Sequence, residues 1–322
     1  MSYNAIADTR TLTHDEWLEL RRTGIGGSDA GAIMGVSPYK GAFSVWADKM
    51  GKLPPIEDNE AIRHGRDLED YVARRFAEAS GLRVRHEYSM LRSVEHPCML
   101  ADIDRRIIGE RAGLECKTSR DITMARYRNG EYPMEYYCQC LHYLAVTGWD
   151  CWYLAVLVYG TDLLIFRICR DEVLDDIEAL VKAEEAFWDS HMLIPNNPPA
   201  PDALDSTAAA LGSVYPYEDG TTVCADQEAD RALTELAALK AQRRSLDRQI
   251  VEHENQIKAA MGEAEVLAGT SVSATWRSSE RTTINKNKLM SLYPNIDIAK
   301  ISDRNVQRRF AIKEDKSNGT TD

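Results

Sequence analysis

Two short strand candidates, residues 99–106 and 113–118, most constrain the fold, because only a few residues join them. Each carries charged side chains: Asp104 lies in the first candidate, and Glu115 and Lys117 lie in the second. Residues two apart in a strand share a face, so Glu115 and Lys117 point the same way. If the two strands pair, the carboxylates of Asp104 and Glu115 can converge on one spot.

Such a spot has the chemistry of a hard-cation site. Two carboxylates, water and a backbone carbonyl, here that of Cys116, suit Mg²⁺ or Mn²⁺ better than zinc. A cation there can lower the pKa of a bound water and neutralise charge that builds on a phosphate oxygen. Lys117 can orient that water or stabilise the phosphate oxygens. The alternative is structural, because acids and a lysine on adjacent strands also form solvated ion-pair ladders.

Two predicted helices carry further polar residues. The first, over residues 61–80, contains Glu69 in the segment Gly-Arg-Asp-Leu-Glu. The second runs from Pro133 to about Val146 and contains Gln139 and Tyr143, which are four residues apart and so share a face. Glu69 has a plain alternative as an exposed helix acid, and Gln139 has one as a helix cap or surface amide.

A glycine-rich stretch, residues 24–35, follows a helix predicted over about 14–22. It lacks a Gly-Lys-Ser/Thr sequence and does not follow a strand, which excludes the two common nucleotide-binding loops. Gly-Gly-Ser28 before a short helix still fits a phosphate cradle, because backbone N–H groups at a helix start attract anions. Arg21 lies just upstream, where it could also belong to a solvated helix end.

At these positions the sequence resembles the YqaJ-like viral recombinases, relatives of phage lambda-type exonuclease within the PD-(D/E)xK nucleases. The matching elements, in the family's order, are GIGGSDAGAIMG (24–35), G-R-x-L-E (65–69), I-D-R (103–105), LECKT (114–118) and Q-C-L-H-Y-x-x-V-T-G (139–148). The resemblance covers roughly residues 15–190. It implies an α/β restriction-endonuclease-like core, a mixed central sheet flanked by helices, with a helical and small β C-terminal extension.

The resemblance also implies roles for single residues. The implied catalytic set is the metal-binding acids Asp104 and Glu115, the lysine Lys117, the helix acid Glu69 near the metal, and the supporting Gln139 with Tyr143 beside it. Arg21 and Ser28 would hold a terminal 5′-phosphate of DNA. The proline that often precedes the first acid is replaced by Ile103, and Asp102, on the same strand face, is the second choice for that acid.

The implied activity is that of a Mg²⁺-dependent exonuclease, with Mn²⁺ as a substitute, acting 5′ to 3′ on double-stranded DNA ends. The remaining 3′ single strand would be loaded by a phage single-strand-annealing protein, and the enzyme would form a homo-oligomeric ring. The competing hypotheses are a structure-selective or nicking endonuclease with the same site, a non-catalytic DNA-end-binding protein, and a Cas4-like iron–sulfur nuclease. The spacing of the seven cysteines does not support the last of these.

The sequence predicts a nuclease domain over 1–200, a linker over 201–225 after the Pro-rich stretch 194–201, and a C-terminal module over 226–322. The module would contain a long helix, either packed on its own domain or forming a coiled-coil arm, and a small strand-rich tail. The formal net charge is −12, yet residues 271–317 carry ten Lys/Arg against five acids, a net +5. The net charge of the whole chain does not show such local positive regions, so it does not exclude binding to DNA.

The tail interleaves cations with aromatics, from Trp276-Arg277 to Arg304–Phe310. This suits contact with single-stranded DNA, although an amphipathic strand with a charged outer face is equally consistent. His64 and His142 are interpreted as surface or satisfied histidines, since no sequence partner supports a role as a base. The chain lacks an apolar run of membrane-span length and a signal-peptide layout, so we expect a cytoplasmic protein. The resemblance implies a phage or prophage origin in a bacterial host.

Overall fold

The computed structural model describes residues 2–55, 60–120, 125–159, 162–281, 283 and 285–293. The chain divides into two compact units, Met1–Pro216 and Tyr217–Asp322, and each is described by itself. All the predicted site residues lie in the first unit. Among the described residues, no helix is both long enough and apolar enough to cross a membrane.

The first unit combines helices and strands along the whole of its length. Its strands are β1 (Tyr3–Asp8), β2 (Ile25–Gly26), β3 (Val84–His86), β4 (Ser89–Ser93), β5 (Met99–Ala101), β6 (Arg105–Ile107), β7 (Ala112–Ser119), β8 (Cys151–Val158) and β9 (Asp162–Cys169). Its helices are α1 (His14–Arg22), α2 (Gly27–Ile33), α3 (Ala42–Lys49), α4 (Glu60–Ser80), α5 (Met134–Thr147), α6 (Leu174–Phe187) and α7 (Asp205–Val214).

The strands form two mixed sheets. The central sheet has the order β3-β6-β7-β8-β9, in which only β7 and β8 are parallel, and the connection between them contains α5. The smaller sheet has the order β1-β4-β5-β2, with β2 and β5 parallel. A parallel pair needs such a crossover connection, which is why the helix carrying Gln139 must return across the sheet.

Helices cover both faces of the central sheet. Alternate residues of β8 point to opposite faces: Trp152 and Leu154 belong to the apolar cluster that includes residues of α5 and α6. Ala155 and Leu157 pack in a second cluster with Phe76 of α4. This arrangement confirms the predicted fold class, a mixed α/β core whose central sheet is flanked by helices.

Several local predictions are confirmed. Helix α1 matches the helix predicted over about 14–22, and Thr13 and Glu16 form a capping box at its start, with the Thr13 N–H donating to the Glu16 carboxylate at 2.8 Å. Helix α5 begins after Pro133 and ends at Gly148, whose φ of 61° is in the left-handed region that favours glycine.

The strand predicted over 99–106 is wrong as a single element. It divides into β5, in the smaller sheet, and β6, in the central sheet, and residues 102–104 connect the two. In this connection the Asp102 carboxylate accepts a hydrogen bond from the Trp17 indole at 2.9 Å, and that of Asp104 accepts one from the Cys116 backbone at 2.8 Å. The segment between β5 and β6 is therefore not a strand, because its two aspartates bind side-chain and backbone groups of other elements.

The boundary of the first unit also differs from the predicted one. Helix α7 lies in the segment predicted as linker, and it packs against α3, with Thr207 and Ala210 buried. The first unit therefore extends to Pro216. Small residues along this helix, Ala208 to Ala210 among them, allow the close packing that a linker assignment did not anticipate.

The second unit contains α8 (Gln227–Met261), β10 (Val266–Ala268), β11 (Ser273–Thr275) and α9 (Lys286–Leu292). Helix α8 matches the predicted long helix closely, and the Asp226 carboxylate caps it by accepting the Ala229 N–H at 2.8 Å. Within the described residues several of its apolar side chains, such as Leu239 and Ile250, are exposed, whereas Met261 at its end is buried. The basic and aromatic segment Arg304–Phe310 lies outside the described residues.

A buried charge pair joins α5, α6 and β5. His142 Nδ1 lies 2.9 Å from both oxygens of Glu184, and its Nε2 lies 2.8 Å from the Leu100 carbonyl oxygen. Neither His142 nor Glu184 has exposed surface. Burial alone would lower the pKa of His142, but the Glu184 carboxylate outweighs it and raises that pKa. His142 is therefore a satisfied core histidine, as interpreted from the sequence.

The raised pKa predicts how this pair contributes to stability. The contribution is fully present below about pH 6.5, where the unfolded imidazole is also protonated, and it is lost as the pH rises through the higher pKa of the folded state. We expect the unfolding free energy of the wild type, relative to a neutral His142→Asn/Glu184→Gln double variant, to fall as the pH is raised above 6.5. Urea denaturation of both proteins across pH 6–9 measures this difference in unfolding free energy. A difference that stays constant with pH would contradict the prediction.

Candidate active site

The predicted acids meet where β6 and β7 separate. The last residue pair of their ladder is Arg105 with Leu114, and beyond it the Asp104 side chain replaces the backbone as hydrogen-bond partner of β7. Its Oδ2 accepts the Cys116 N–H at 2.8 Å. Asp104 thus lies beside Glu115, as predicted. The structure brings Asp102 instead to the Trp17 indole.

The carbonyl of Cys116 faces the same gap. In an extended strand the N–H and C=O of one residue point to the same edge. Since the Cys116 N–H points to Asp104, its carbonyl oxygen points toward Asp104 as well. The Cys116 side chain packs on the opposite side, against the cluster that contains Phe76.

Glu115 lies at the centre of the site and is 2% exposed. Two donors converge on its Oε1: Lys117 Nζ at 2.6 Å and Gln139 Nε2 at 2.7 Å. Its other oxygen, Oε2, is buried and has no hydrogen-bond partner among the residues that the structure describes. A buried carboxylate oxygen without a partner is unfavourable, so Oε2 is suited to receive a ligand from outside the chain.

The two acids destabilise each other's charged forms. Burial, then the charges of Glu115 and Glu69, raises the pKa of Asp104 well above its usual range. Burial also raises the pKa of Glu115, although Lys117 opposes the effect. A cation between the carboxylates would offset both the burial and the repulsion.

Lys117 is held in its charged form. Burial alone would lower its pKa, but the carboxylates of Glu115 and Asp104 outweigh it and raise the pKa above that of a free lysine. The ammonium group lies 5.5 Å from the centre of the Tyr136 ring. Lys117 therefore acts as a charge and hydrogen-bond donor rather than as a proton acceptor.

These residues fit a magnesium ion. Mg²⁺ is usually bound through one or two carboxylates while it keeps several waters. Asp104, Glu115 and the Cys116 carbonyl supply such hard oxygen atoms. Of these, Oε2 of Glu115 has no hydrogen-bond partner among the described residues, so it is available to a cation. Over the described residues no group of three or more His, Cys, Asp or Glu side chains has metal-binding geometry, so water or substrate oxygens must complete the shell.

Glu69 lies at the edge of this site, where Arg105 connects it to Asp104. Its carboxylate is 2.5 Å from Arg105 Nη1, which also donates to the Asp104 carbonyl at 2.5 Å. Arg105 binds Asp70 as well, at 2.5 Å, and is itself buried. The structure thus places Glu69 near Asp104 but pairs it with a cation. Sequence reasoning gave Arg105 no role, although an arginine directly after the strand acid was its signal.

Gln139 and Tyr143 connect the acids to the glycine-rich stretch. Gln139 Nε2 donates to the Tyr143 hydroxyl at 3.0 Å, and that hydroxyl donates to the Asp102 carbonyl at 3.0 Å. Both side chains, with Asp102, line a cavity of about 140 Å³ whose other wall includes Arg21 and Ser28. Arg21 Nη2 donates to the Ser28 hydroxyl at 3.0 Å. The two predicted phosphate-binding residues therefore lie together, on the far side of Gln139 from Lys117.

The cavity is backed by a buried charge cluster that the sequence did not reveal. Asp29 has no exposed surface, and it accepts hydrogen bonds or ion pairs from Gly26 N at 3.1 Å, Lys40 at 2.9 Å and Lys49 at 2.7 Å. Burial would raise the pKa of Asp29, but Lys40, Lys49 and Arg21 hold it well below its usual range. Three cations therefore surround one carboxylate, and Lys40 also lies 3.6 Å from the Asp48 carboxylate. Of these three cations, Arg21 itself lines the cavity, together with the acid Asp102.

Trp17 is the other residue that sequence reasoning missed. Its indole N–H binds Asp102, and the Arg21 guanidinium lies over its ring at 4.8 Å. Trp17 and Arg21 are four apart on α1 and so share a face, which was the available signal. This contact orients Arg21 toward the cavity.

A mixed sheet between helices, with two acids and a lysine at one strand end, is the architecture of a PD-(D/E)xK fold. The chain matches the YqaJ-like viral recombinase domain over residues 16–150. It is 36% identical over 316 residues to the uncharacterised protein YqaJ of Bacillus subtilis (strain 168), covering 96% of this chain and 97% of that protein. The chain therefore belongs to the YqaJ-like viral recombinase family, which confirms the predicted resemblance.

Solved structures are similar over part of the chain. An alkaline exonuclease, LHK-Exo from Laribacter hongkongensis, aligns with 20% identity and a TM-score of 0.44, covering 56% of this chain and 93% of that one. A phage-related exonuclease from Haemophilus somnus 129PT aligns with 14% identity and a TM-score of 0.41, covering 55% and 98%.

The close approach of Gly27 to Tyr143 gives a test of the cavity wall. A Cβ atom at Gly27 would lie 2.7 Å from the tyrosine ring, so Gly27→Ala must displace that ring. We expect a loss of about 1–3 kcal/mol in unfolding free energy, as for other overpacked sites. In the control, Gly212→Ala, nothing lies within 4 Å of the added atom. Chemical denaturation compares the two, and equal stabilities would contradict the packing described.

Proposed function

We propose that this chain is a divalent-cation-dependent DNA exonuclease that removes nucleotides from the 5′ end of one strand of a duplex. The observation that carries the proposal is the Asp104–Glu115–Lys117 group around the buried Glu115, whose Oε2 has no hydrogen-bond partner among the described residues, beside a cavity lined by Arg21 and Ser28. Membership of a viral recombinase family supports an activity on DNA. The alkaline and phage-related exonucleases among the similar structures have names consistent with it.

The residues divide the work of hydrolysis. Mg²⁺, held by Asp104, Glu115 and the Cys116 carbonyl, would lower the pKa of a water and offset charge on the phosphate. Gln139 fixes Glu115 Oε1 by a hydrogen bond, so Oε2 would be the oxygen available to hold the cation. Lys117 stays protonated and stabilises the negative charge that builds on the phosphate oxygens.

Glu69 has a secondary role in this scheme. Its pairing with Arg105 keeps it at the edge of the site, where its charge still acts on Asp104 and Glu115. A substrate or a second ion that displaced Arg105 would make its carboxylate available as a ligand. Mn²⁺, which prefers the same oxygen ligands, would replace Mg²⁺.

The small cavity sets the direction of attack. Its volume of about 140 Å³ is below the roughly 300 Å³ of the smallest usual ligand pockets, so it suits a phosphate group rather than a base. Arg21, Ser28 and the N–H groups at the start of α2 would bind a terminal 5′-phosphate there. The next phosphate along the strand would then reach Asp104 and Glu115, on the other side of Gln139.

The product would be duplex DNA with a 3′ single strand, the substrate that recombination by strand annealing requires. We propose a phage single-strand-annealing protein as the partner, and a ring of identical subunits as the assembly that encloses the DNA. The reaction would take place in the cytoplasm of a bacterial host. The family's description as viral recombinases supports this setting.

End-labelled DNA tests the activity and its direction. Linear duplexes labelled at either the 5′ or the 3′ end, and a supercoiled circle, are incubated with Mg²⁺ or EDTA. We expect Mg²⁺-dependent release of the 5′ label as mononucleotides while the circle stays intact, and Lys117→Ala should bind DNA but cut it at least 100-fold more slowly. Cleavage of the circle would indicate an endonuclease, and a DNA shift without cleavage would indicate an end-binding protein.

The phosphate cavity gives a second prediction. Removing the 5′-phosphate from linear duplex DNA should slow digestion about tenfold or more, because charge-assisted hydrogen bonds to Arg21 are lost. Arg21→Ala should slow digestion of phosphorylated DNA and make the enzyme indifferent to the phosphate. Arg74→Ala, an exposed arginine on α4, serves as the control. Equal rates of the wild type on both ends would remove Arg21 and Ser28 from the proposed site.

A further inference from the structure

A second, larger cavity of about 710 Å³ opens at the carboxyl ends of the parallel strands β7 and β8. Its lining includes Thr118 and Ser119, which follow Lys117 on β7, and Tyr136 of α5, whose ring lies below the Lys117 ammonium group. Crevices outside the carboxyl ends of strands are where open α/β sheets bind ligands. The cavity therefore begins next to Lys117, the proposed catalytic lysine.

Helix α5 passes both cavities in order. Tyr136 lines the larger one, Gln139 binds Glu115, and Tyr143 lines the small phosphate cavity. At a rise of 1.5 Å per residue these three positions span about 10 Å. The acids therefore lie between the two cavities, and a strand whose end is held in the small cavity would continue past them into the larger one.

The chemistry of the larger cavity suits a nucleotide. Tyr39 and Tyr159, with exposures of 68% and 52%, present aromatic rings at its rim, and Arg120 adds positive charge. Arg126 also lines the cavity, but its guanidinium is paired with the Glu135 carboxylate at 2.6 Å. None of the described residues that line it is acidic. Aromatic rings that stack on bases, next to arginines that contact phosphates, are the usual means of binding a single nucleic-acid strand.

The backbone at Tyr159 is unusual for its residue type. Its φ of 57° is in the left-handed region, which large side chains rarely adopt. The conformation is fixed by its N–H, which donates to the Ser119 carbonyl at 2.9 Å across the end of the sheet. Strained backbone of this kind is concentrated at ligand sites. Here it places an aromatic ring at the rim of the cavity.

We propose that this cavity binds the nucleotide on the 3′ side of the cleaved bond, with the Tyr159 ring stacked on its base. After each cut, this nucleotide becomes the new 5′ end and needs to move by only one position. The inference rests on the proposed exonuclease function. Its test is therefore a binding measurement that requires no cleavage.

The test uses fluorescent, 5′-phosphorylated duplex DNA in EDTA, in intact form or with the second base removed to leave an abasic site. Stacking on an aromatic side chain contributes about 1–3 kcal/mol per base, so we expect the wild type to bind the abasic DNA about tenfold more weakly. Tyr159→Ala should bind both DNAs equally, with the weaker affinity. Tyr159→Phe, which keeps the ring, should retain the full difference.

Two controls show whether the weaker binding of abasic DNA depends on this cavity and on the second nucleotide. Tyr217→Ala removes a tyrosine that is 71% exposed and does not line the cavity, and it should behave as the wild type. An abasic site at the tenth position should not weaken binding. Circular dichroism confirms that each variant is folded, and Tyr39→Ala provides a second variant of the same rim.

The outcomes separate the two proposals. If Tyr159→Ala and Tyr39→Ala keep the full abasic penalty, or if the wild type shows none, the cavity does not hold the second nucleotide. If the wild type instead fails to release a 5′ label in Mg²⁺, the exonuclease function is wrong. The binding comparison in EDTA still decides the role of the cavity in that case.

Discussion

The site depends on holding two carboxylates of like charge side by side in the interior. Asp104 and Glu115 are both disfavoured as anions by burial and by each other. The protein stabilises them with directed donors, the Cys116 N–H and the Gln139 amide, and with the charge of Lys117. Among the described residues, Glu115 Oε2 still lacks a hydrogen-bond partner, and a divalent cation can supply the missing interaction.

The same principle, applied with the opposite sign, explains how an acidic protein can carry a local group of cations. The formal net charge is −12, yet three cations surround the buried carboxylate of Asp29, and one of them, Arg21, lines the small cavity. Asp29 orders Lys40 and Lys49 at fixed positions and also fixes the backbone of Gly26. Local geometry, and not the overall charge, decides where an anion binds.

Short-range patterns made much of the fold predictable. The capping box at Thr13 and the α5 stop at Gly148 depend on neighbours in sequence, and the Glu115–Lys117 face follows from strand periodicity. The division of the 99–106 strand could not be predicted, because the Trp17 indole and the Cys116 N–H that bind the two aspartates come from distant segments. The Asp29 cluster and the Arg105 pairing are equally non-local. Helix α7 was missed because the Pro-rich stretch 194–201 before it indicated the end of the domain.

One geometric relation then links the sheet to the reaction. Side chains of strand β7 and helix α5 meet in pairs, and the two elements carry these residues in opposite chain order. Glu115 meets Gln139, and Lys117 meets Tyr136. Along α5, Tyr143, Gln139 and Tyr136 therefore lie in succession at the small cavity, the acids and the larger cavity. Under the proposed function, a DNA strand whose end is held in the small cavity would pass the acids before it reaches the larger cavity, and this succession would set the direction of digestion.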